Sequence, residues 1–475
     1  MEFPRIIIAA LRGGAGKTIL SLGIIAAWKA LGKNIAPFKK GPDYIDAGWL
    51  ALAAGRPCHN LDTYLIPPAQ ILSSFITHSL DCDISVIEGN RGLYDGIDLA
   101  GSTSTAELAK QLNAPVILCI DCTKSTRTMA AVVSGCLQFD PAVDIRGVVL
   151  NRVAGSRHEQ ILRKSIEYHC GLTVFGAIPK LRKQNFPERH MGLVPTPEHA
   201  WATDSIADAA RMASHYLNLA GLAEMAKNPP ERIDQKTLPS SDILPGTGGK
   251  PADSKKQRPR IGVVKDSAFQ FYYPENIEAL ADEGAEIIFV SPLEQTSLPP
   301  LDALYIGGGF PETHAAKLSE NKSFRDEIRA LTEDGLPVYA ECGGLMYLGE
   351  ALVLDQKTYP MVGLLPVVFG FAKRPQGHGY TQVEVDGKNP YFSTGTVIKG
   401  HEFHYSEVLE WRGDDSQMVF SMKRGAGFHN GRDGILYKNV LATYTHIHAL
   451  GMPAWAGALV SQARFYANNK GDHST

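Results

Sequence analysis

Short apolar runs alternate with amphipathic stretches along the first half of the chain. The apolar runs predict strands at residues 6–11, 35–39, 84–88, 116–121 and 147–151. Amphipathic stretches such as residues 18–31 and 104–112 predict helices between them. This alternation predicts an α/β fold with a doubly wound, mostly parallel sheet, which binds its ligands at the carboxyl ends of the strands.

The pattern breaks off at residues 227–259, which are rich in proline and glycine and have no apolar periodicity. Such a composition predicts a linker. A second α/β pattern follows, with strands predicted at 260–265, 286–290, 303–306 and 337–340 and a helix at 273–283. We therefore predict a first domain at 1–226, a linker at 227–259 and a second domain at 260–470.

Composition narrows the class of protein. A chain of 475 residues with 44% hydrophobic and 20% charged residues is typical of a globular protein with two cores. A net charge of −3 gives no reason to expect a nucleic-acid partner, and no apolar run approaches the roughly 20 residues that span a bilayer. Seven scattered cysteines favour reduced thiols and a cytoplasmic location.

A glycine-rich loop follows the first predicted strand and opens the first predicted helix. It consists of Arg12, Gly13, Gly14, Ala15, Gly16, Lys17 and Thr18. Glycines let backbone N–H groups surround phosphates, so the loop predicts a nucleotide site in which Lys17 reaches the β- and γ-phosphates and Thr18 binds Mg²⁺. Leu11 replaces the first glycine of the usual P-loop, and the loop resembles the deviant form of dethiobiotin synthetases, in which a basic residue like Arg12 contacts phosphate.

Carboxylates follow the neighbouring predicted strands. We predict Glu88 as the main Mg²⁺ ligand, and Asp43 and Asp46 as further ligands, because a phosphoryl-transfer site needs several convergent carboxylates. Asp95, with Tyr44, is predicted to position the substrate. The alternative for each acidic residue is that it builds a turn after its strand.

One of the residues that follow the predicted strands carries a side-chain amide instead of a carboxylate. Asn151 closes a later predicted strand, where it is expected to bind the nucleotide base.

The second half contains a candidate nucleophile. Cys342 follows an apolar strand and precedes small residues that open a helix, which is the pattern of a nucleophile elbow. At such a position we expect helix-end N–H groups to lower the thiol pKa. His446 or His448 would be its base; strand alternation places both on one face, so the pattern does not choose between them. Gly308 and Gly309 predict backbone N–H groups that face a developing oxyanion.

Several segments, taken in order, closely resemble the cobyrinate a,c-diamide synthase family. They are residues 37–46, 60–62, 88–96, 187–193, 271–276 and 400–406. The resemblance covers nearly the whole chain apart from the linker. It implies a dethiobiotin-synthetase-like domain followed by a class I glutamine amidotransferase domain.

The resemblance also implies roles for residues. Cys342 matches the nucleophile and His446 its base, whereas His448 takes the place of the glutamate that completes the triad in most class I enzymes. The acidic positions tied to Mg²⁺ and the activated substrate are matched by Asp43, Asp46, Glu88 and Asp95. His401, Glu402 and His404 match a further segment of the family. This segment is expected to line the interface between the two halves or, as the alternative, to fix a local turn.

The implied reaction is amidation of the a and c acetate carboxylates of cobyrinate in cobalamin biosynthesis, through acyl phosphates, with ATP and Mg²⁺. The expected partners are cobyrinate or a related tetrapyrrole, L-glutamine and, as an alternative to a monomer, a second copy of the chain in a homodimer. Two other functions compete with this one: the same chemistry on nickel-sirohydrochlorin in coenzyme F430 synthesis, and a partitioning-type ATPase switch that would not need Cys342. The segment 41–46 argues against the sister enzyme cobyric acid synthase.

Overall fold

The computed structural model describes residues 3–180, 201–229 and 258–469, together with the backbone of two short strands at 188–189 and 192–193. Most of the predicted linker lies outside the described residues, and so do residues 187, 190 and 191 and all the side chains of the segment 187–193. The chain divides into two compact units, Met1–Leu244 and Pro245–Thr475, called here the N-terminal and C-terminal units.

The N-terminal unit alternates strands and helices. Its strands are β1 (Arg5–Ala10), β2 (Ile35–Lys40), β3 (His59–Leu61), β4 (Ile84–Glu88), β5 (Val116–Asp121), β6 (Ile145–Val153), β7 (Thr173–Pro179), β8 (Glu188–Arg189) and β9 (Gly192–Leu193). Its helices are α1 (Lys17–Ala30), α2 (Tyr44–Ala54), α3 (Pro68–Ser79), α4 (Thr105–Gln111), α5 (Thr128–Phe139), α6 (Ser156–Cys170), α7 (Ala202–Tyr216) and α8 (Leu219–Lys227).

Seven strands of this unit form one parallel sheet in the order β3-β2-β4-β1-β5-β6-β7. Every residue of β1 is buried, as expected of a strand covered on both faces. Strand β1 lies at the centre of this sheet, with β4, β2 and β3 on one side and β5, β6 and β7 on the other. The loop after β1 therefore lies where the strand order reverses, which is where such sheets bind ligands. The predicted doubly wound α/β fold is confirmed.

The C-terminal unit contains a larger, mixed set of elements. Its strands are β10 (Arg260–Val264), β11 (Phe269–Phe271), β12 (Glu286–Val290), β13 (Ala303–Ile306), β14 (Gly308–Gly309), β15 (Val338–Glu341), β16 (Ala351–Leu354), β17 (Lys357–Pro360), β18 (Val367–Phe371), β19 (Gly377–Val385), β20 (Val397–His404), β21 (Ser406–Trp411), β22 (Met418–Arg424), β23 (Arg432–Tyr437) and β24 (Val440–Thr443). Its α-helices are α9 (Pro274–Asp282), α10 (Ala315–Glu320), α11 (Lys322–Glu333), α12 (Gly343–Leu348) and α13 (Ala454–Asn469).

Nine of these strands form one sheet in the order β12-β10-β13-β15-β24-β23-β22-β19-β20. The first five strands are parallel and the rest are antiparallel. Val338 and Ala340 of β15 pack into one core cluster and Tyr339 into another, so the sheet is covered on both faces. Among the described residues, no helix has both the length and the apolar character needed to cross a membrane.

Candidate active site

Three neighbouring strands bring the predicted nucleotide-site residues together. β1 lies beside β4, with Ile8 opposite Glu88, and β4 lies beside β2, with Glu88 opposite Lys39. The glycine-rich loop leaves the carboxyl end of β1, so the loop, Glu88 and Lys39 share one edge of the sheet.

The glycine-rich loop leads directly into the amino end of α1. Gly14 and Gly16 have φ values of +69° and +97°, a region that glycine enters without strain. No described side chain caps α1, and its first turn contains no acidic residue, so its N–H groups suit an anion. The Lys17 ammonium donates to the carbonyl oxygens of Arg91 at 2.7 Å and of Arg12 at 3.4 Å, which folds this side chain over the loop.

Arg12 pairs with a carboxylate of the next strand. Its guanidinium lies 2.9 Å from Asp121 at the end of β5, and its side chain is 69% exposed. Arg152, which the sequence pattern did not single out, donates to the same carboxylate at 2.7 Å and to the carbonyl of Gly14 at 3.1 Å. Although burial raises the pKa of Asp121, hydrogen bonds from Thr123 and Arg152 lower it to about 2. Two arginines therefore flank the loop, and the phosphate contact of Arg12 stays a prediction.

Asn151 contacts the loop from β6. Its amide Nδ2 donates to the carbonyl of Ala15 at 2.8 Å, and a Cβ placed on Gly16 would lie 2.4 Å from that nitrogen. Gly16 is thus required by close packing as well as by its backbone conformation. The amide supports the loop here, and its predicted contact with the base stays a prediction.

The predicted metal ligands surround a buried lysine that the sequence analysis did not name. Lys39 Nζ lies 2.8 Å from Asp46 Oδ2, 3.0 Å from Glu88 Oε1 and 3.8 Å from Asp43 Oδ2. The Thr18 hydroxyl donates to Glu88 at 2.7 Å and lies 3.3 Å from Asp46. A lysine at the end of a fully buried strand, followed by acidic residues, is the signal that could have revealed this group.

The charges in this cluster do not balance. Burial raises the pKa of Glu88, with Lys39 opposing it, and burial followed by the charge of Asp46 raises the pKa of Asp43 to about 7. Burial also acts on Asp46, but the ammonium of Lys39 keeps that pKa below its usual value. Burial would lower the pKa of Lys39, yet Asp46, Glu88 and Asp43 together raise it well above its usual value. Three carboxylates around one ammonium leave negative charge that a divalent cation can neutralise.

The residues fit Mg²⁺, which prefers oxygen ligands. Glu88 is fully buried, and its Oε2 has no hydrogen-bond partner among the residues that the structure describes. An unpaired buried carboxylate oxygen beside the Thr18 hydroxyl is costly unless a cation or a donor occupies the position. Asp46 Oδ2, 3.3 Å from the Thr18 hydroxyl, would supply a third oxygen.

Two predicted substrate residues lie outside this cluster of charges. Asp95 Oδ2 accepts the N–H of Gly92 at 2.8 Å and closes the turn after β4, which agrees with the turn alternative. Tyr44 is the first residue of α2, directly after Asp43, whose carboxylate caps that helix through the N–H of Asp46. Their contact with a substrate stays a prediction.

In the C-terminal unit, three neighbouring parallel strands again carry the candidate residues. The glycine loop follows β13, Cys342 follows β15, and His446 lies three residues beyond β24. Cys342 has φ +47° and ψ −96°, and its N–H donates to the carbonyl of Thr443 at 2.7 Å. A non-glycine residue in this region is strained, as expected of a nucleophile elbow.

The glycine loop touches both the elbow and the histidine. A Cβ placed on Gly308 would lie 2.5 Å from His446 Cε1, and a Cβ placed on Gly343 would lie 3.0 Å from the nitrogen of Gly309. The glycine loop therefore packs against both the predicted nucleophile turn and the predicted base.

The thiol is not activated in the way that the sequence predicted. Cys342 is 3% exposed, and burial raises its pKa, with the charge of Glu312 adding to the effect. The N–H of Gly343 acts in the opposite direction but is outweighed. The expectation of a lowered thiol pKa is wrong for this arrangement. One N–H at the start of α12 acts on the sulfur, and this donor does not offset the loss of hydration on burial.

The two candidate histidines have different surroundings in the structure. Regular strand β24 ends at Thr443, so the alternation that made them equivalent does not extend to them. His446 Nδ1 lies 3.4 Å from Glu341 Oε2, whereas His448 Nε2 lies 3.7 Å from Glu275 Oε1. His446 borders the glycine loop, and His448 packs elsewhere.

The segment around Glu402 stabilises the loop that contains Ala426 and Gly427. Glu402 accepts the N–H groups of Ala426 at 2.6 Å and Gly427 at 3.0 Å. His404 stacks on the ring of Tyr444 at 3.7 Å between centroids. These contacts agree with the alternative that the segment fixes a local turn, and its place at an interface between the halves stays a prediction.

Comparisons with known proteins agree with this division into a P-loop unit and an amidotransferase unit. The CobQ/CobB/MinD/ParA nucleotide binding domain matches residues 6–194, and the CobB/CobQ-like glutamine amidotransferase domain matches residues 260–454. The chain is thus a nucleotide-binding domain joined to a glutamine amidotransferase domain.

Curated relatives resemble the chain over nearly its whole length. A cobyrinate a,c-diamide synthase of Magnetococcus marinus is 42% identical over 466 residues, which cover 98% of this chain and 97% of that one. Proteins of the same name from Dehalococcoides mccartyi and Methanosarcina barkeri are 39% and 36% identical, covering 94% and 99% of this chain and 96% and 98% of those proteins. The chain belongs to the cobyrinate a,c-diamide synthase family.

Proposed function

We propose that this protein converts the a and c acetate carboxylates of cobyrinate into amides, using ATP and glutamine, in cobalamin biosynthesis. The observation that carries the proposal is the presence, in one chain, of a P-loop with convergent carboxylates and of a strained cysteine beside a glycine loop and a histidine. A partitioning-type ATPase would need only the first of these arrangements.

The N-terminal unit would activate the substrate carboxylate. The loop of residues 12–18 and the amino end of α1 hold the phosphates of ATP, and Lys17 turns from its carbonyl partners to the γ-phosphate. Thr18, Asp46 and Glu88, with Asp43 beside them, would hold Mg²⁺, whose charge would neutralise phosphate charge. The substrate carboxylate attacks the γ-phosphorus, ADP leaves, and an acyl phosphate remains.

The C-terminal unit would release ammonia from glutamine. Burial keeps the Cys342 thiol protonated at rest, so a base must take its proton as the sulfur attacks the amide carbon. His446 is the histidine placed beside the glycine loop, and it would return that proton to the departing ammonia. Gly308 and Gly309 would face the oxyanion, and water then hydrolyses the thioester to glutamate.

Ammonia completes the reaction by attacking the acyl phosphate and displacing phosphate. Each round consumes one ATP, one glutamine and one water, and yields one amide, ADP, phosphate and glutamate. Two rounds amidate the two acetate groups.

The test is ADP release with cobyrinate, in wild type and Cys342→Ala, with glutamine or with ammonium as the nitrogen source. We expect the variant to lose glutamine-dependent ADP release and to keep ammonium-dependent ADP release. Equal rates for both proteins with glutamine would refute the amidotransferase assignment. ADP release with nickel-sirohydrochlorin but not with cobyrinate would leave the chemistry in place and change the substrate.

A further inference from the structure

Glu341 is next to the candidate nucleophile in the sequence and close to its candidate base in space. It is the last residue of β15, directly before Cys342, and it is fully buried. Its Oε1 accepts the N–H of Ile447 at 3.1 Å, and its Oε2 lies 3.4 Å from Nδ1 of His446. One carboxylate therefore links the strand that carries the thiol to the segment that carries the imidazole.

Strand β20 supplies further titratable groups that face His446. His401 stacks on it at 4.9 Å between ring centroids, and Glu402 and His404 interact with it electrostatically. Burial lowers the pKa of His401 well below its usual value and that of His404 to about 4, so both are neutral at neutral pH. Both oxygens of Glu402 accept backbone N–H groups. A carboxylate oxygen of Glu341 lies within 4 Å of a ring nitrogen of His446.

We propose that Glu341 is a positioning residue for His446 and takes the third triad place that a glutamate two residues after the histidine holds in most class I amidotransferases. A carboxylate that accepts Nδ1–H fixes the neutral tautomer in which Nε2 is the base, and it stabilises the imidazolium once the thiol proton has arrived. The distance of 3.4 Å is longer than a formed hydrogen bond, and such contacts often tighten when substrate binds. This inference rests on the proposed glutaminase function.

His448 has a different environment. It pairs with Glu275 and its ring packs on Tyr273 at 4.5 Å between centroids. His448 and Glu275 thus form a second buried pair of a histidine and a carboxylate, and this pair lies away from the glycine loop. This second pair supplies a matched control for the first.

The test is the pH profile of glutamine-dependent turnover in Glu341→Gln. We expect kcat to fall about 10- to 100-fold with KM for glutamine unchanged, because Glu341 acts through the histidine rather than on the substrate. Without the carboxylate the imidazolium is less favoured, so the acid limb of the profile should move down by about one pH unit. Glu341→Asp, which keeps the charge, should lower kcat while leaving the acid limb in place.

Two controls separate positioning from structure. Tyr305 donates to the same Oε2 at 3.1 Å, so Tyr305→Phe removes a hydrogen bond but no charge and should leave the acid limb in place. Glu275→Gln should also leave it in place; a shift there and none in Glu341→Gln would make His448 the base and overturn the proposal. If Glu341→Gln does not fold, Glu341→Asp decides, because an unchanged kcat in that variant would also overturn it.

Cys342→Ala distinguishes failure of this inference from failure of the proposed function. Equal glutamine use by wild type and Cys342→Ala would remove the glutaminase itself. Loss of glutamine use in Cys342→Ala, combined with an unchanged profile in Glu341→Gln, would overturn the role of Glu341 alone.

Discussion

The candidate site residues of the N-terminal unit follow β1, β2 and β4, and those of the C-terminal unit follow β13, β15 and β24. In both units these are neighbouring parallel strands, whose carboxyl ends lie at one edge of the sheet. The surroundings differ. The nucleotide loop exposes Arg12 and Gly13 to solvent and adjoins one ammonium and three carboxylates, whereas Cys342 and His446 are 3% and 2% exposed.

This difference agrees with the two proposed reactions. Phosphoryl transfer moves highly charged groups, so its site needs fixed charges of both signs and an opening for the nucleotide. Thiol attack on an amide begins and ends with neutral groups and needs one proton to move, so a dry site suits it. The two units therefore share an arrangement of strands and differ in electrostatics, and each prediction below tests one side of that contrast.

Lys39→Met should produce the largest effect, a loss of about 3–5 kcal/mol in the free energy of unfolding, because it leaves buried carboxylates without their cation. Mg²⁺ should restore part of this loss by occupying the same group of oxygens. The measurement is urea unfolding with and without Mg²⁺. Arg12→Ala is the matched control: its ion pair with Asp121 is exposed, so we expect a loss of about 0–1 kcal/mol. Equal stability of Lys39→Met and wild type without Mg²⁺ would contradict the charge contrast.

Lys17→Ala tests which half of the reaction each unit performs. We expect ADP release to fall about 10²- to 10³-fold with either glutamine or ammonium, because the γ-phosphate loses a positioned cation. Cys342→Ala should affect only the glutamine-dependent rate. A Lys17→Ala variant that kept its ammonium-dependent rate would show that the P-loop does not serve amide formation.

Gly308→Ala probes the packing of the buried site. The added Cβ would lie 2.5 Å from His446 Cε1, so the imidazole must move, and we expect about a 10²-fold loss of glutamine-dependent kcat. The ammonium-dependent rate should stay unchanged. The control is Gly457→Ala in α13, where the nearest atom would lie 3.6 Å away. Similar losses in both variants would mean that the effect comes from general destabilisation.

Sequence patterns located the parallel strands well, because apolar runs of four to six residues bounded by turn residues leave little choice of register. The predicted strands at 84–88, 116–121, 286–290 and 303–306 have the observed bounds. The antiparallel extension of the second sheet was not predicted. Its strands, such as β19 and β20, alternate buried and exposed residues only in part, and their pairing depends on contacts distant in the chain.

The candidate sites show the same limit. Glycine loops and strand-end residues such as Cys342 are local signals. The contacts of Lys39 with Glu88 and of Glu341 with His446 join residues 49 and 105 positions apart, which no local pattern specifies. The raised pKa of the Cys342 thiol also depends on burial by the whole unit.

His404 tests whether water is excluded from the C-terminal unit. Burial lowers its pKa from about 6.5 to about 4, so the unfolded chain binds a proton in this pH window that the folded chain does not. Folding stability should therefore fall as the pH drops from about 6.5 to about 4, and this residue should contribute up to about 3 kcal/mol of that loss.

The variant to compare is His404→Phe, which keeps a ring to stack on Tyr444 but cannot titrate. Its stability should be lower than that of wild type near neutral pH, because the hydrogen bond from Nδ1 to the carbonyl of Ser406 is lost, and should fall less on acidification. Urea unfolding of both proteins between pH 4 and pH 7 measures the difference in slope. Parallel curves would mean that water reaches His404. The contrast between a charged nucleotide site with an exposed loop and a dry glutaminase site would then be weaker than the burial of Cys342 and His446 indicates.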